Sequence, residues 1–351
     1  MEYRKFGNTG IDVSEIGFGC GDVGGLMVRG EPADQVRAVA RAMELGINYF
    51  DTASRYGGGQ SETNLGRVLK ELSADALSNQ VYVGTKYSLG EADPNDLKAG
   101  VIQSVEASLK RLGREQVDLI QLHDRISSQT DVKVRAITVS DVLGEVREAL
   151  ELLKSQGKVR FYGMTGVGEP KGIHEVVASG MVSTVQTVYN LINASAGTVA
   201  PAGFDMPDYD RLIDLAAEKQ VGVIVIRVLA AGALTGTSVR HPVAVPTVAP
   251  IGSGRDFQQD ESRAQEFAFL VDEGFADDMP EASIRFALSN PGVSTVLVGY
   301  SDLDHLEKSV RYAAKGPLPA EALARLPQAW ATFELTVPLR RGPKMEKPAK
   351  P

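Results

Sequence analysis

Four polar side chains close or follow short apolar runs. Asp51 ends Asn48-Tyr49-Phe50-Asp51 and Tyr56 stands five residues on. Lys86 ends Val81-Tyr82-Val83-Gly84-Thr85-Lys86, and His123 ends Leu119-Ile120-Gln121-Leu122-His123. Together these residue types make acid–base machinery. A phenol with an ordinary pKa near 10 is a poor proton donor at neutral pH, and a neighbouring ammonium improves it by stabilising the phenolate. Lys86 is the candidate ammonium. Burial strips a lysine of its proton unless a carboxylate holds it there, which is the role open to Asp51. His123 then holds a substrate oxygen or shares its proton. Each residue alone has a plainer reading: a capping Asp, a surface Tyr beside Gly57-Gly58-Gly59, a solvated Lys, a satisfied core His. Their recurrence at the same end of successive strands favours catalysis, if the fold brings those ends together.

The elements that must do so alternate. Residues 2–6 and 11–15 flank the turn-forming Asn8-Thr9-Gly10 and predict a hairpin. Short runs rich in Val, Ile and Tyr then predict strands over 16–19, 48–51, 81–86, 117–123, 159–165, 182–189, 221–228 and 295–299. Between them, helical spacing covers 32–45, 61–72, 96–112, 140–155, 170–178, 208–219, 262–270 with 280–288, and 302–313. Asp208 and Ser301 are expected caps, and Gly46, Gly113, Gly157 and Gly180 are expected helix stops. Eight strands alternating with eight helical blocks favour a parallel α/β (β/α)8 TIM barrel, although a doubly wound open sheet shares the alternation. The chain of 351 residues is long enough for two domains, but such a barrel uses this length for one, expected over 1–339. Residues 340–351, with five basic side chains, one acidic and no apolar period, read as a disordered tail. Two long loops, 125–139 and 232–260, are expected on the rim where the strands end, as lids over a site.

Composition removes other classes. A net charge of −8 gives no general attraction to nucleic acid or to an anionic membrane. The start MEYRKFGNTG lacks an apolar stretch, and the longest apolar run, 221–234, is short and broken by Arg227, so neither a signal peptide nor a membrane span is expected. The lone thiol, Cys20, fits a reducing cytoplasm and reads as a small packed side chain near the site. His174, His241 and His305 have no Cys or carboxylate at metal-ligand spacing, and no metal is expected. No G-x-G-x-x-G leads from a strand into a helix, so a dinucleotide would have to bind the barrel itself. No pattern selects a monomer or a homo-oligomer.

Residues 48–57, Asn-Tyr-Phe-Asp-Thr-Ala-Ser-Arg-Tyr-Gly, with Gly84-Thr85-Lys86 and Leu122-His123-Asp124, resemble the motifs of the aldo-keto reductase superfamily, and the similarity runs from Tyr3 to about Ala313. The resemblance implies a barrel closed at its bottom by the hairpin and a catalytic tetrad of Asp51, Tyr56, Lys86 and His123. It implies metal-free hydride transfer between NAD(P) and a small-molecule carbonyl or alcohol. Cofactor contacts are implied at Gly19, Cys20, Gly21 and Asp51 and, where relatives hold the carboxamide with a Ser-Asn pair and a Gln, at Thr165, Gly166 and Gln186. After the seventh strand the family's aromatic-Ser-Pro-Leu run is replaced by Ile226-Arg227-Val228-Leu229, which places Arg227, Val228, Leu229, Gly232 and Leu234 at the cofactor and Arg227 at its pyrophosphate. Gly299, Ser301, His305, Lys308 and Ser309 are implied around the adenosine, where Asp302, Asp304 and Glu307 disfavour a further phosphate and so favour NAD over NADP. Substrate contacts are implied at Tyr56, Tyr87, His123, Asp124 and Arg125. The seventh and eighth strands are also similar to those of NAD-linked sugar 1-dehydrogenases of this superfamily, the L-galactose and L-fucose dehydrogenases. A cofactor-binding regulatory subunit with little turnover is the alternative that the same barrel allows.

Overall fold

The structure, a computed structural model, describes residues 1–73, 81–90 and 92–334, and the expected tail at 340–351 lies outside the described residues. Among the described residues twelve strands follow in chain order: β1 (Tyr3–Lys5), β2 (Asp12–Ser14), β3 (Ile16–Gly19), β4 (Tyr49–Asp51), β5 (Tyr82–Tyr87), β6 (Val117–Leu122), β7 (Arg125–Ile126), β8 (Ala136–Ile137), β9 (Val159–Thr165), β10 (Thr184–Val188), β11 (Gly222–Ile226) and β12 (Val293–Gly299). Eight of them close a parallel barrel in the order β3-β4-β5-β6-β9-β10-β11-β12. The closing seam runs from Val296 opposite Ile16 to Gly299 opposite Gly19, which rules out the open sheet. The chain therefore has the eight-stranded α/β barrel that the alternation favoured.

The hairpin β1–β2 is antiparallel and sits under the barrel. Phe6, Ile11 and Val13 enter the floor and pack with Tyr49, Tyr82, Leu119, Ile224 and Leu297 in a core of their own. Phe6 meets Tyr49 edge-on at 5.3 Å. Close approach is built into the backbone here: a Cβ at Gly222 would lie 2.9 Å from the Phe6 ring. The larger apolar core lies between the strands and the surrounding helices, as expected when parallel strands are covered on their outer face.

Helix starts follow local chemistry. Pro32 and Pro170 open their helices, and Asp96, Asp256 and Asp278 accept hydrogen bonds from backbone N–H groups of the first turn. Gly46, Gly113, Gly157 and Gly180 take positive φ where helices stop, as expected. The two expected caps are corrected. Asp302, not Ser301, caps Leu303–Ala314, because the Ser301 hydroxyl donates instead to the Gly24 carbonyl. Asp208 bonds the Asp210 N–H within a turn, and the helix begins only at Leu212 after left-handed Asp210 and Arg211. The stretch read as one helix over 140–155 is interrupted. Gly144, at φ −96° and ψ −110°, breaks it before Arg147–Ser155, which lets Glu145 receive the Leu97 and Lys98 N–H groups at the start of Leu97–Leu112. A helix over Ala320–Ala331 was not expected from the spacing, since Pro327 interrupts its pattern. It docks through Trp330, whose indole N–H donates to the Leu191 carbonyl at 2.7 Å.

Candidate active site

The residues after β4 reach the rim because the ladder continues past the strand. Cys20 N–H donates to the Asp51 carbonyl, Thr52 N–H to Gly84 and Ser54 N–H to Lys86. The Thr52 and Ser61 hydroxyls pair at 2.8 Å, and Ser61 also bonds the Cys20 carbonyl. Tyr56 then opens a tight turn in which Gly57, Gly58 and Gly59 all have positive φ. This turn is fixed. A Cβ at Gly57 would lie 2.4 Å from Val28 Cγ1, and one at Gly59 would lie 2.6 Å from Arg111 Cδ.

Asp51 is the hub beneath it. Its Oδ1 pairs with Lys86 Nζ, both side chains being buried. Its Oδ2 accepts from the Tyr49 hydroxyl at 3.1 Å, Gln121 Nε2 at 3.1 Å and Gln186 Nε2 at 2.8 Å. Gly84 makes room for this arrangement, because a Cβ there would stand 2.4 Å from the Tyr49 hydroxyl. Lys86 Nζ also donates to the Thr52 carbonyl at 2.8 Å and to the Tyr56 hydroxyl at 3.3 Å. Burial works against the Lys86 ammonium, but Asp51 and Tyr56 more than offset it, and its pKa lies above the usual lysine value. The His123 ring stands perpendicular to that of Tyr56, centroids 5.7 Å apart. Burial, with the charges of Lys86, Arg55 and Arg135, holds His123 well below the usual imidazole range, so it is neutral. A phenol, an ammonium, the ammonium's counterion and a neutral imidazole thus meet at one place.

They open into a cavity of about 760 Å³ at the strand ends. Of the remaining expected residues, Gly19, Gly21, Thr165, Gln186, Arg227, Val228, Leu229, Gly232, Gly299, Ser301, His305 and Arg125 line it. Six do not. Cys20 is buried behind the rim, where burial pushes its thiol pKa up, and Leu234 is in the core. Gly166 has no side chain to offer and its N–H bonds the Gln186 carbonyl. Lys308 pairs with Asp304, and the Ser309 hydroxyl is tied to Tyr300 and to the Leu306 carbonyl. Tyr87 is fully buried. Asp124 also lies off the cavity, its carboxylate accepting from Ser88 Oγ and Leu89 N–H, each at 2.6 Å.

Several contributors escaped the sequence reading. Gln121 and Tyr49, second ligands of the Asp51 carboxylate, sit on strands as ordinary alternating residues. Buried Asn190 donates to the Arg227 carbonyl, and buried Asn193 donates to the carbonyls of Pro207 and Gly252, at 2.9 and 2.6 Å. The run Asn190-Leu191-Ile192-Asn193 directly after a strand was the available signal. His241 and His305, read as unconnected, approach within 6.2 Å and flank the Asp302 carboxylate, each 3.6 Å from it, because the 232–260 loop folds back over the start of the helix Leu303–Ala314. Among the described residues no cluster of His, Cys, Asp or Glu forms a metal site, and no helix is long and apolar enough to cross a membrane.

Comparison with known proteins agrees with this geometry. The chain is 30% identical over 313 residues to L-galactose dehydrogenase of Arabidopsis thaliana, covering 88% of this chain and 87% of that protein. It is 26% identical over 338 residues to a putative voltage-gated potassium channel subunit beta of Schizosaccharomyces pombe, covering 89% and 88%. An aldo-keto reductase of Bacillus halodurans, solved in its holo form, superposes with a TM-score of 0.68 at 25% identity over 94% of this chain and 96% of that one. The profile of the Aldo/keto reductase family matches residues 15–331, and the chain belongs to that family of oxidoreductases.

Proposed function

We propose that the protein interconverts a carbonyl compound and the corresponding alcohol with NAD(P), NAD being preferred, and that its substrate class includes aldoses oxidised at carbon 1. The observation that carries the reading is the Tyr56 hydroxyl, 3.3 Å from a buried lysine that Asp51 keeps charged, facing His123 across an open cavity. The similarity to L-galactose dehydrogenase supports the aldose.

The cavity suits a nicotinamide dinucleotide. Thr165 lines it, and its buried hydroxyl has no partner among the described residues, a free group for a carboxamide. Arg227 and Arg240 offer guanidinium groups along the wall. Asp302, at the helix start beside His305, disfavours an extra phosphate and so supports NAD. When bound, the dinucleotide supplies the hydride donor or acceptor at its nicotinamide ring. In reduction the carbonyl carbon gains that hydride and Tyr56 Oη gives its proton to the carbonyl oxygen. Lys86 stabilises the negative charge left on the phenol oxygen, Asp51 keeps Lys86 charged, and neutral His123 orients the oxygen. Oxidation runs the same exchange in reverse. The lone buried thiol fits a reducing compartment, and the reading places this single-domain enzyme in the cytoplasm.

A screen of aldoses with NAD⁺ and of aldehydes and ketones with NADH and NADPH tests the reading. We expect multiple turnovers, and Tyr56→Phe should lower kcat by about 10²- to 10⁴-fold, the usual weight of general acid–base catalysis. Near wild-type turnover in that variant would refute the mechanism. A second reading, a regulatory subunit, rests on the similarity to the channel subunit and predicts one hydride transfer per site followed by slow release.

A further inference from the structure

The chain is acidic overall, yet the cavity carries five arginines: Arg55, Arg125, Arg135, Arg227 and Arg240. Its two carboxylates are already engaged, Asp22 by Arg29 at 3.2 Å and Asp51 by Lys86. The five arginines divide. Arg240 donates to the Ala231 and Val245 carbonyls and Arg227 to Ala249, on the side of the cavity formed by the 232–260 loop. Arg55, Arg125 and Arg135 lie on the His123 side, and among the described residues no hydrogen bond or ion pair holds their side chains; the buried Asp124 carboxylate attracts Arg55 and Arg135 but is bonded to Ser88 and Leu89 instead.

The backbone is arranged to present them. β7 pairs with β8, setting Arg125 opposite Ala136, and the Arg125 N–H donates to the Arg135 carbonyl at 2.9 Å. Arg135 is left-handed, φ +54°, at the end of a short turn, a conformation that is costly for a side-chain-bearing residue. Its stem lies over Gly90, where a Cβ would come 3.2 Å from Arg135 Cγ. Arg55 directly precedes Tyr56. Both Arg55 and Arg135 act electrostatically on His123, which fixes the end of the cavity they serve.

Unpaired guanidinium groups beside a proton donor and a neutral imidazole form a receptor for an anion that is not itself the reacting carbonyl. Resting on the carbonyl reading above, we infer that the substrate carries a carboxylate or a phosphate, bound by Arg55, Arg125 and Arg135 while its carbonyl oxygen meets Tyr56 and His123. The reaction is unchanged, and the arginines set which carbonyl compounds are chosen.

The test compares matched pairs: 4-carboxybenzaldehyde against benzaldehyde for a carboxylate, and glycolaldehyde phosphate against glycolaldehyde for a phosphate. The anionic member of at least one pair should have a kcat/KM higher by roughly tenfold or more, consistent with charge-assisted hydrogen bonds. The pair that shows the preference identifies the anion. The preference should shrink at high salt and fall by several-fold in Arg135→Met and in Arg55→Met. Turnover of the neutral aldehydes without any preference for the anions overturns the inference and leaves the carbonyl reaction standing. If none is turned over, that reaction fails, and the anion site is then judged by calorimetric titration of the full chain with 4-carboxybenzyl alcohol against benzyl alcohol and with glycerol phosphate against glycerol. Equal affinities in both pairs, or a difference that survives Arg135→Met, overturn it.

Discussion

The two sides of the cavity are built by different means. On the β4, β5 and β6 side, side chain bonds side chain: one carboxylate gathers Lys86, Tyr49 and Gln121 in the interior, with Gln186 reaching in from β10. On the β11 side, side chain bonds backbone: Arg227, Arg240, Asn190 and Asn193 hold carbonyls of loops, and Arg227, Ala230, Ala231 and Gly232 have positive φ. The first arrangement fixes atoms to within a hydrogen bond on rigid strands. The second shapes a wall that other loop sequences could replace. Proton transfer needs the former, and recognition of a large ligand works with the latter.

If that contrast holds, damage should differ in kind. Asp51→Asn leaves the Lys86 ammonium buried without its counterion, which costs about 3–5 kcal/mol unless lysine surrenders its proton. Either outcome removes charge support from Tyr56, so turnover should fall by about 10²-fold or more. Arg227→Met, on the other side, should change unfolding free energy by under about 1 kcal/mol, because it breaks only a long bond to a loop carbonyl. Urea unfolding of the two variants in parallel measures the difference. Equal losses would erase the distinction between the two sides.

The same division explains what the sequence made legible. Asp51, Tyr56, Lys86 and His123 could be singled out because each stands at or shortly beyond the end of a strand, and eight alternating blocks imply that strand ends converge. Gln121 and Gln186 contribute equally to the hub, but only Gln186 was singled out, since a polar residue within a strand carries no mark of what it faces. The meeting of His241 with Asp302 and His305 depends on how 232–260 folds, and no local periodicity encodes that path. Ser301 lost the cap to Asp302 by one residue, a choice set by the nearby Gly24 carbonyl that Ser301 reaches across the chain. Local chemistry was readable; contacts made across long loops were not.

Asn193→Ala probes the loop side more gently. The variant takes the amide donor from the part-buried carbonyls of Pro207 and Gly252 and the Oδ1 acceptor from the buried Ser195 N–H and hydroxyl, at a cost of about 1–3 kcal/mol. Gly252 adjoins Pro250 and Ile251, which line the cavity, so the loosened wall should also weaken binding of NADH. Fluorescence titration should show the larger change in affinity, while kcat at saturating cofactor should move little. A fall in kcat without a change in affinity would mean that the loop side takes part in proton transfer after all.

The smallest effect is a titration on the β4, β5 and β6 side. His123 is held below the usual imidazole range by burial first and then by Lys86, Arg55 and Arg135. Its resonances in an NMR titration should therefore show no protonation step near pH 6.5, the ordinary imidazole value. Because the unfolded chain takes up that proton and the native chain does not, His123 contributes its full share of stability above about pH 6.5 and loses it as the solution is acidified. Arg135→Met removes one repelling cation and leaves burial in place, so the His123 pKa should rise part of the way back and the acid sensitivity should lessen. An unchanged His123 in that variant would place Arg135 outside electrostatic reach of the imidazole. The free arginines would then serve the outer rim of the cavity, apart from the imidazole.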